Sequence, residues 1–324
     1  MQRIVRRLMR VLLFGAGQFG VSTFKHLHES HEIVAMVSQP DRPAGRKRKL
    51  TPADAAQWAQ DANLNVLKTH DVNTPEFISQ IAQLKPDVAV VIAFGQKLSP
   101  ELIDAAGKLT VNLHSSLLPK YRGAAPINWA VINGEEETGV SVIALAQKMD
   151  AGLIYAQATT PINPLETAGE LHDRLASLGP QAVASVLDDL TNDRLTGIAQ
   201  DQTLATRAPK LSKADSVIDF SLDAQTIQSK IHGLTPWPGV STFWHRVRDG
   251  QRLSAQPLFF RRVKVSQAMG EHGKAGTVLS NGTIVCGQGT IELLEIQQPG
   301  KRLMSFEEFS RGNPLAAGDY FDVE

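Results

Sequence analysis

The 324-residue chain balances 33 basic against 33 acidic side chains, is 42% hydrophobic and has a single cysteine, Cys286. Charge balance excludes whole-molecule attraction to nucleic acid, so such a partner must be met by a local patch. The lone cysteine excludes an internal disulfide framework and a multi-cysteine zinc site and fits a reducing compartment, with the cytoplasm as the expectation; the length predicts two domains.

The chain opens on Arg3, Arg6, Arg7 and Arg10 followed by the apolar run Val11 to Phe14, a superficial likeness to a targeting segment. The run breaks at once into Gly15-Ala16-Gly17-Gln18, which reads as a strand and a tight turn, and Met9 offers an alternative start. No apolar stretch approaches the roughly 18 residues that a membrane span needs.

From Arg10 to about Leu190, buried strands are expected at Val11 to Phe14, Ile33 to Ser38, Val88 to Ala93 and Thr110 to His114, because these runs are almost continuously apolar and bounded by Gly, Pro or charge. Helices are expected between them at Gln18 to Glu29, Pro52 to Ala62, Pro75 to Leu84, Pro100 to Ala106 and Ala125 to Asn133, and a capped helix from Thr167 towards Leu190. This alternation predicts an α/β fold: a Rossmann-like, mostly parallel sheet with helices on both faces and its ligand site at the carboxyl ends of the strands. After Thr206 the pattern changes. Residues 207–215 read as a basic linker, and residues 216–324 as one helix (about Asp223 to His232) and a small β-barrel of OB-like type, with strands at Val240 to Trp244, Leu258 to Val265, Thr277 to Leu279, Thr283 to Val285 and Thr290 to Ile296. Residues 1–206 would then be the catalytic domain.

Gly15-Ala16-Gly17-Gln18-Phe19-Gly20 is a literal G-x-G-x-x-G between a strand and a helix, with Asp41 about twenty residues on. Read alone it indicates a nicotinamide-dependent dehydrogenase, an alternative from a different enzyme class. The ribose acid should end the second strand, however, whereas Asp41 lies beyond Ser38 in a stretch rich in arginine. The glycines are therefore read as a tight strand-to-helix turn, with no NAD expected.

In a strand, residues i and i+2 share a face, so Asn112 and His114 set an amide and an imidazole side by side at the carboxyl edge of the sheet. Either residue alone would more often be a satisfied structural group; the pair at a strand end, followed by Ser115-Ser116-Leu117-Leu118-Pro119 and a Gly-containing turn, points to function. Asp150-Ala151-Gly152 is by itself good turn chemistry between two strands.

The chain resembles the folate-dependent formyltransferases from Arg10 to Phe321. The resemblance is most specific in Gln39-Pro40-Asp41-Arg42-Pro43-Ala44-Gly45-Arg46, Asn112-Leu113-His114-Ser115-Ser116-Leu117-Leu118-Pro119, Tyr121-Arg122-Gly123-Ala124-Ala125-Pro126-Ile127-Asn128-Trp129, Asp150-Ala151-Gly152, Lys210-Leu211-Ser212-Lys213 and Trp237-Pro238-Gly239. It implies a catalytic triad of Asn112, His114 and Asp150, although Ala146 stands where the family often has a further acid. It also implies a site for the formyl donor, 10-formyltetrahydrofolate, made by Phe94, Gly95, Gln96, Lys97 and Leu98 with Ser116, Leu117, Leu118 and Pro119. Asn112 would donate to the oxyanion, His114 would donate or move a proton, and Asp150 would pair with the imidazole and order a water. No metal is expected; His26, His28, His31, His70, His172, His232, His245 and His272 show no ligand spacing.

The acceptor that the resemblance implies is the amino group of methionine esterified to initiator tRNA. Between Arg207 and Lys264, ten basic residues face four acids, a local charge of +6 within the neutral total. Arg42, Arg46, Lys47, Arg48 and Lys49 add a basic loop, too charged for core, and together with Lys210 and Lys213 form the expected contacts to RNA phosphate. The chain is expected to act as a monomer. A formyltransferase for a small amine, such as glycinamide ribonucleotide or an amino-sugar nucleotide, and a folate-binding or hydrolytic protein are the other readings; the basic loop and the second domain favour the tRNA acceptor.

Overall fold

In the computed structural model, which describes residues 8–45, 48–266 and 273–322, the apolar runs of the first half pair into one seven-stranded sheet. Its order is Ile154–Pro161, Glu137–Ala144, Leu109–His114, Val88–Ile92, Arg10–Gly15, Glu32–Ser38, Val66–Lys68. The pairings from Leu109–His114 to Val66–Lys68 are all parallel, and Glu137–Ala144 joins Leu109–His114 antiparallel. Val11, Leu12, Leu13 and Phe14 are each fully buried, so this strand is covered on both faces and reads as a continuous apolar run. Strand order reverses between Arg10–Gly15 and Val88–Ile92, a topological switch of the kind at which open α/β sheets bind ligands outside the carboxyl ends of their strands, and Leu109–His114 is the next strand beyond it.

The helices start where the sequence supplies caps. Thr74 Oγ1 accepts from the Phe77 amide at 3.3 Å and Ser99 Oγ from the Leu102 amide at 3.2 Å, each followed by a proline in the first turn, where an N–H would be unpaired anyway. Thr167 and Glu170 do form a capping box, but the helix expected to run to Leu190 is two helices, Ala168–Ala176 and Gly179–Thr191. Pro180 cannot donate to a preceding turn, and Gly179 passes so close to Thr23 and Leu113 that a Cβ would lie 2.3 Å from Thr23 Oγ1, which together fix the break.

The glycine motif has a packing explanation. A Cβ on Gly15 or on Gly20 would lie 2.6 Å from Cε2 of Phe24, so both glycines admit that ring against the sheet. Asp41, the acid that a dinucleotide would need, is ion-paired with Lys68 at 2.5 Å.

The chain divides into two compact units, one of residues 1–123, 139–160 and 172–207, the other of 124–138, 161–171 and 208–324. In the second, strands Val240–Arg248, Gln251–Ser266, Ile284–Val285, Thr290–Gln297, Leu303–Ser305 and Tyr320–Asp322 form an antiparallel, barrel-like sheet. Register shifts around Arg262 bend the 16-residue strand so that it pairs with Val240–Arg248 at one end and Thr290–Gln297 at the other. Of the expected strands, Thr277 to Leu279 is reduced to isolated bridges to Tyr320 and Ile284, while Leu303–Ser305 and Tyr320–Asp322 were not expected at all. Trp244, Phe260, Ile227 and Ile231 are fully buried in its core.

Packing consumes part of the basic region counted in the sequence. Arg262 bonds Glu170 at 2.6 Å and Glu295 at 3.1 Å, and its hydrogen bond holds the Glu170 carboxyl down at about 2. Arg261 donates to Gln297 and to the Pro236 carbonyl, Arg246 lies over the Trp244 ring, and Arg248 pairs with Asp319. Beside Arg262, His232 is 2% exposed and its Nε2 accepts from the Val263 amide at 3.2 Å, which requires a neutral ring. Burial, assisted by the Arg262 charge, pushes this imidazole down from 6.5 to about 4. The folded chain therefore binds fewer protons here than the unfolded chain between those values. The contribution is complete above pH 6.5 and is lost as pH falls through about 4, amounting to about 3 kcal/mol. An NMR titration of His232 with a midpoint near 6.5 would contradict this.

Candidate active site

Asn112 and His114 lie on one face at the carboxyl end of Leu109–His114, Asn112 opposite Val91 on one side and Ile143 on the other, His114 opposite Ser141. Asn112 is partly exposed, and among the described residues its amide has no hydrogen-bond partner. A donor at a strand end with no internal partner is free to meet a ligand oxygen.

His114 is 6% exposed, and its Nε2 lies 2.9 Å from the Tyr121 carbonyl oxygen. A carbonyl only accepts, so Nε2 carries the proton in the neutral ring and Nδ1 is the nitrogen at which a proton is gained or lost. Nδ1 faces Asp150 Oδ1 at 3.8 Å, too far for a hydrogen bond and close enough for charge pairing when the ring is protonated. The other carboxylate oxygen of Asp150 accepts from the Gly123 amide at 2.9 Å.

The Asp150 backbone takes φ +53, the left-handed region. The neighbouring Gly152 is required by close approach: a Cβ there would sit 1.9 Å from the Ala144 carbonyl oxygen. The turn thus joins Glu137–Ala144 to Ile154–Pro161 in a geometry that aims the carboxylate at His114.

The segments expected to hold a folate are braced by side-chain hydrogen bonds and core packing. Phe94 and Leu98 are buried in the core, Phe94 edge-on to Phe14, while Ala93 and Gly95 take φ +48 and +81 and are exposed. The Phe94 carbonyl already accepts from Gln39 at 2.8 Å; Gln96 braces the Val72 amide and the Thr69 carbonyl; the Lys97 carbonyl takes Asn73. Ser116 caps the Lys120 carbonyl at 2.7 Å, and Ser141 with Gln157 grips the Leu117–Pro119 stretch through the Leu118 amide and carbonyl. Leu118 packs on Ile143 and Ile154.

Residues 9–187 match the family model described as formyl transferase, and residues 210–314 match the formyl transferase C-terminal domain. The chain belongs to the formyl transferase family. Among relatives of this formyl transferase are the methionyl-tRNA formyltransferases of Geobacter sulfurreducens, 38% identical over 312 residues and 96% of both chains, and of Moorella thermoacetica, 39% identical over 96% of this chain and 98% of that one. In fold it is similar to an N-formyltransferase from Helicobacter canadensis solved with folinic acid and dTDP-3-aminofucose (TM-score 0.64, 17% identity, 90% and 99% of the two chains). It is also similar to HypX from Aquifex aeolicus solved with tetrahydrofolic acid (TM-score 0.61, 16% identity, 98% of this chain), of which it spans about half, 51%.

The structure brings Asn112, His114 and Asp150 of this formyl transferase to one place, with the loop that follows His114 beside them. Of the basic residues expected to meet RNA, those described are exposed. Arg42–Ala44 and Lys49–Thr51 pair as an exposed antiparallel hairpin, where an irregular loop was expected; Arg42 donates to Gln39, and Arg48 takes φ +49. Arg46 and Lys47, like His272 and the Arg3, Arg6 and Arg7 prefix, lie outside the described residues. Lys210 and Lys213 are exposed. Among the described residues, no group of three or more His, Cys, Asp or Glu side chains is placed to hold a metal ion, and no helix is long and apolar enough to cross a membrane. Sequence reasoning missed Ser141, Gln157 and Gln200, polar residues scattered singly with no spacing to mark them, and it quoted Gln39 in a motif without the bond that its amide makes to the Phe94 carbonyl.

Proposed function

We propose that this formyl transferase moves the formyl group of 10-formyltetrahydrofolate to the amino group of methionyl initiator tRNA in the cytoplasm. The observation that carries the chemistry is the juxtaposition of the Asn112 amide, which has no partner among the described residues, with His114, whose Nδ1 faces the Asp150 carboxylate. The neutral amine attacks the formyl carbon, a new C–N bond forms, and the carbonyl oxygen gains negative charge. Asn112 donates to that oxygen, and removal of one such donor typically costs about 10²- to 10³-fold. His114 takes the amine proton at Nδ1, beside Asp150, and returns it to the folate nitrogen as the old C–N bond breaks; positioned proton transfer contributes about 10²- to 10⁴-fold. No enzyme nucleophile is needed.

Phe94, Gly95, Gln96, Lys97 and Leu98 would meet the donor through the exposed backbone of that loop, with Ser116, Leu117, Leu118 and Pro119 completing the site. The acceptor assignment is supported by the names of relatives matching nearly end to end, and by the basic run of Arg42, Arg46, Lys47, Arg48 and Lys49, of which Arg42, Arg48 and Lys49 are described and exposed, with the exposed Lys210 and Lys213 on the second unit. The test is a direct comparison of acceptors with one donor: methionyl initiator tRNA against glycinamide ribonucleotide and an amino-sugar nucleotide. The expected result is formylation of the tRNA in large preference. Faster transfer to a small amine would move the assignment to that acceptor.

A further inference from the structure

Asp150 is gripped by a buried polar pair that the triad does not include. Gln200 and Arg122 are each 8% exposed. Arg122 donates from Nε at 3.1 Å and from Nη2 at 2.6 Å to the same oxygen, Gln200 Oε1. Two guanidinium donors on that atom settle which end of the amide is oxygen, so the NH₂ group must face the other way. It donates to the carbonyl oxygens of Asp150 and Gly152, both at 2.8 Å. The remaining guanidinium nitrogen donates to Gln202 Oε1 at 2.9 Å, and Gln202 returns a bond to the Gln200 carbonyl at 3.1 Å. Gln200 is itself anchored, two residues beyond Ile198, which exchanges backbone hydrogen bonds of 2.9 and 2.8 Å with Ile154.

Arg122 stands between the two backbone groups that touch the reacting pair. The carbonyl of Tyr121, just before it, meets His114 Nε2, and the amide of Gly123, just after it, meets Asp150 Oδ2. The segment 121–123 therefore reaches both His114 and the Asp150 carboxylate, and Gln200 ties the Asp150 main chain back to that segment.

We propose that Gln200, oriented by Arg122, is a positioning residue that sets the distance of Asp150 from His114, an assignment that rests on reading these two as partners in formyl transfer. A non-glycine residue at φ +53 keeps that conformation only while its surroundings hold it there. Without two donors on its carbonyls the turn relaxes and the carboxylate moves with it. A misplacement of about 1 Å at reacting groups lowers turnover by the order of 10²-fold.

The informative substitution is Gln200→Glu, which keeps an acceptor for Arg122 and replaces the donor to the two carbonyls by a second acceptor. Gln200→Ala removes both. Each is expected to lower kcat about 10- to 100-fold with KM for donor and acceptor unchanged within about twofold. In an Asp150→Ala background, adding Gln200→Ala should change kcat by less than about twofold, since nothing remains to be positioned. A readout without substrate runs beside the kinetics: the NMR shift of the Gly123 amide proton, which loses its carboxylate partner in Asp150→Ala, should move the same way in Gln200→Glu. Wild-type kcat in Gln200→Glu with an unmoved Gly123 amide, or an equal loss from Gln200→Ala with and without Asp150, overturns the proposal. Failure of wild-type protein to formylate any amine would instead overturn the functional reading, and the Gly123 amide would still decide whether Gln200 places the carboxylate.

Discussion

Replacing Asn112, His114 or Asp150 by alanine is expected to lower formyl transfer at least about 10²-fold in each case, equivalent to about 2.7 kcal/mol of transition-state stabilisation, with the fold retained. The three losses have different physical origins. Asn112→Ala removes an amide with no partner among the described residues, so no internal hydrogen bond is lost with it. His114→Ala removes the proton carrier and vacates the hydrogen bond to the Tyr121 carbonyl. Asp150→Ala also puts alanine at φ +53, a conformation that asparagine tolerates better, so Asp150→Asn is the cleaner variant. Asparagine can still accept from the Gly123 amide through its carbonyl oxygen but brings no negative charge to Nδ1 of His114. A severe loss in Asp150→Asn as well as Asp150→Ala assigns the effect to charge, whereas near-normal turnover in both would remove Asp150 from the mechanism. Steady-state rates at saturating donor and acceptor, with melting curves to check folding, distinguish these cases.

The strands and helices that build the sheet were legible because fully buried parallel strands leave an unmistakable mark: four consecutive residues with no exposure at Val11 to Phe14, bounded by Gly15. Asn112 and His114 were legible for the same reason, as polar residues interrupting a buried run at its end. The short strands Val66–Lys68, Leu303–Ser305 and Tyr320–Asp322 were not, since three residues carry too little periodicity to separate a strand from a loop. Gln200 was invisible for a deeper reason. Its role depends on meeting Arg122 and the Asp150 carbonyl, contacts 78 and 50 residues away along the chain, and glutamine has no spacing signature of its own. The basic hairpin shows an intermediate case: its charges could be counted, but three-residue strands carry too little periodicity to mark the pairing that the Arg48 amide bond to the Gly45 carbonyl accompanies.

Neutralising Arg46, Lys47 and Arg48 is expected to weaken RNA engagement while leaving donor binding intact. Arg48, Lys49 and the arms Arg42–Ala44 and Lys49–Thr51 are exposed, so their charges are available to phosphate and their removal costs little stability. Each phosphate contact to a single strand releases counterions and contributes a log-log salt slope of roughly −0.7, so tRNA formylation at subsaturating acceptor should fall steeply as salt rises. Changing Arg46, Lys47 and Arg48 together to alanine should flatten that slope by up to about 2 and raise KM for tRNA, with kcat nearly kept, because these side chains would bind phosphate and leave the reacting carbon to the triad. Arg42→Ala should behave differently. Its guanidinium donates to Gln39, and the Gln39 amide donates in turn to the Phe94 carbonyl in the loop assigned to the donor, so turnover should fall together with acceptor affinity. Affinity for a tetrahydrofolate analogue, measured by calorimetry on the triple variant, should match wild type. Unchanged kinetics and an unchanged salt slope in the triple variant would show the hairpin to be a solvated connection and would favour a small amine as the acceptor.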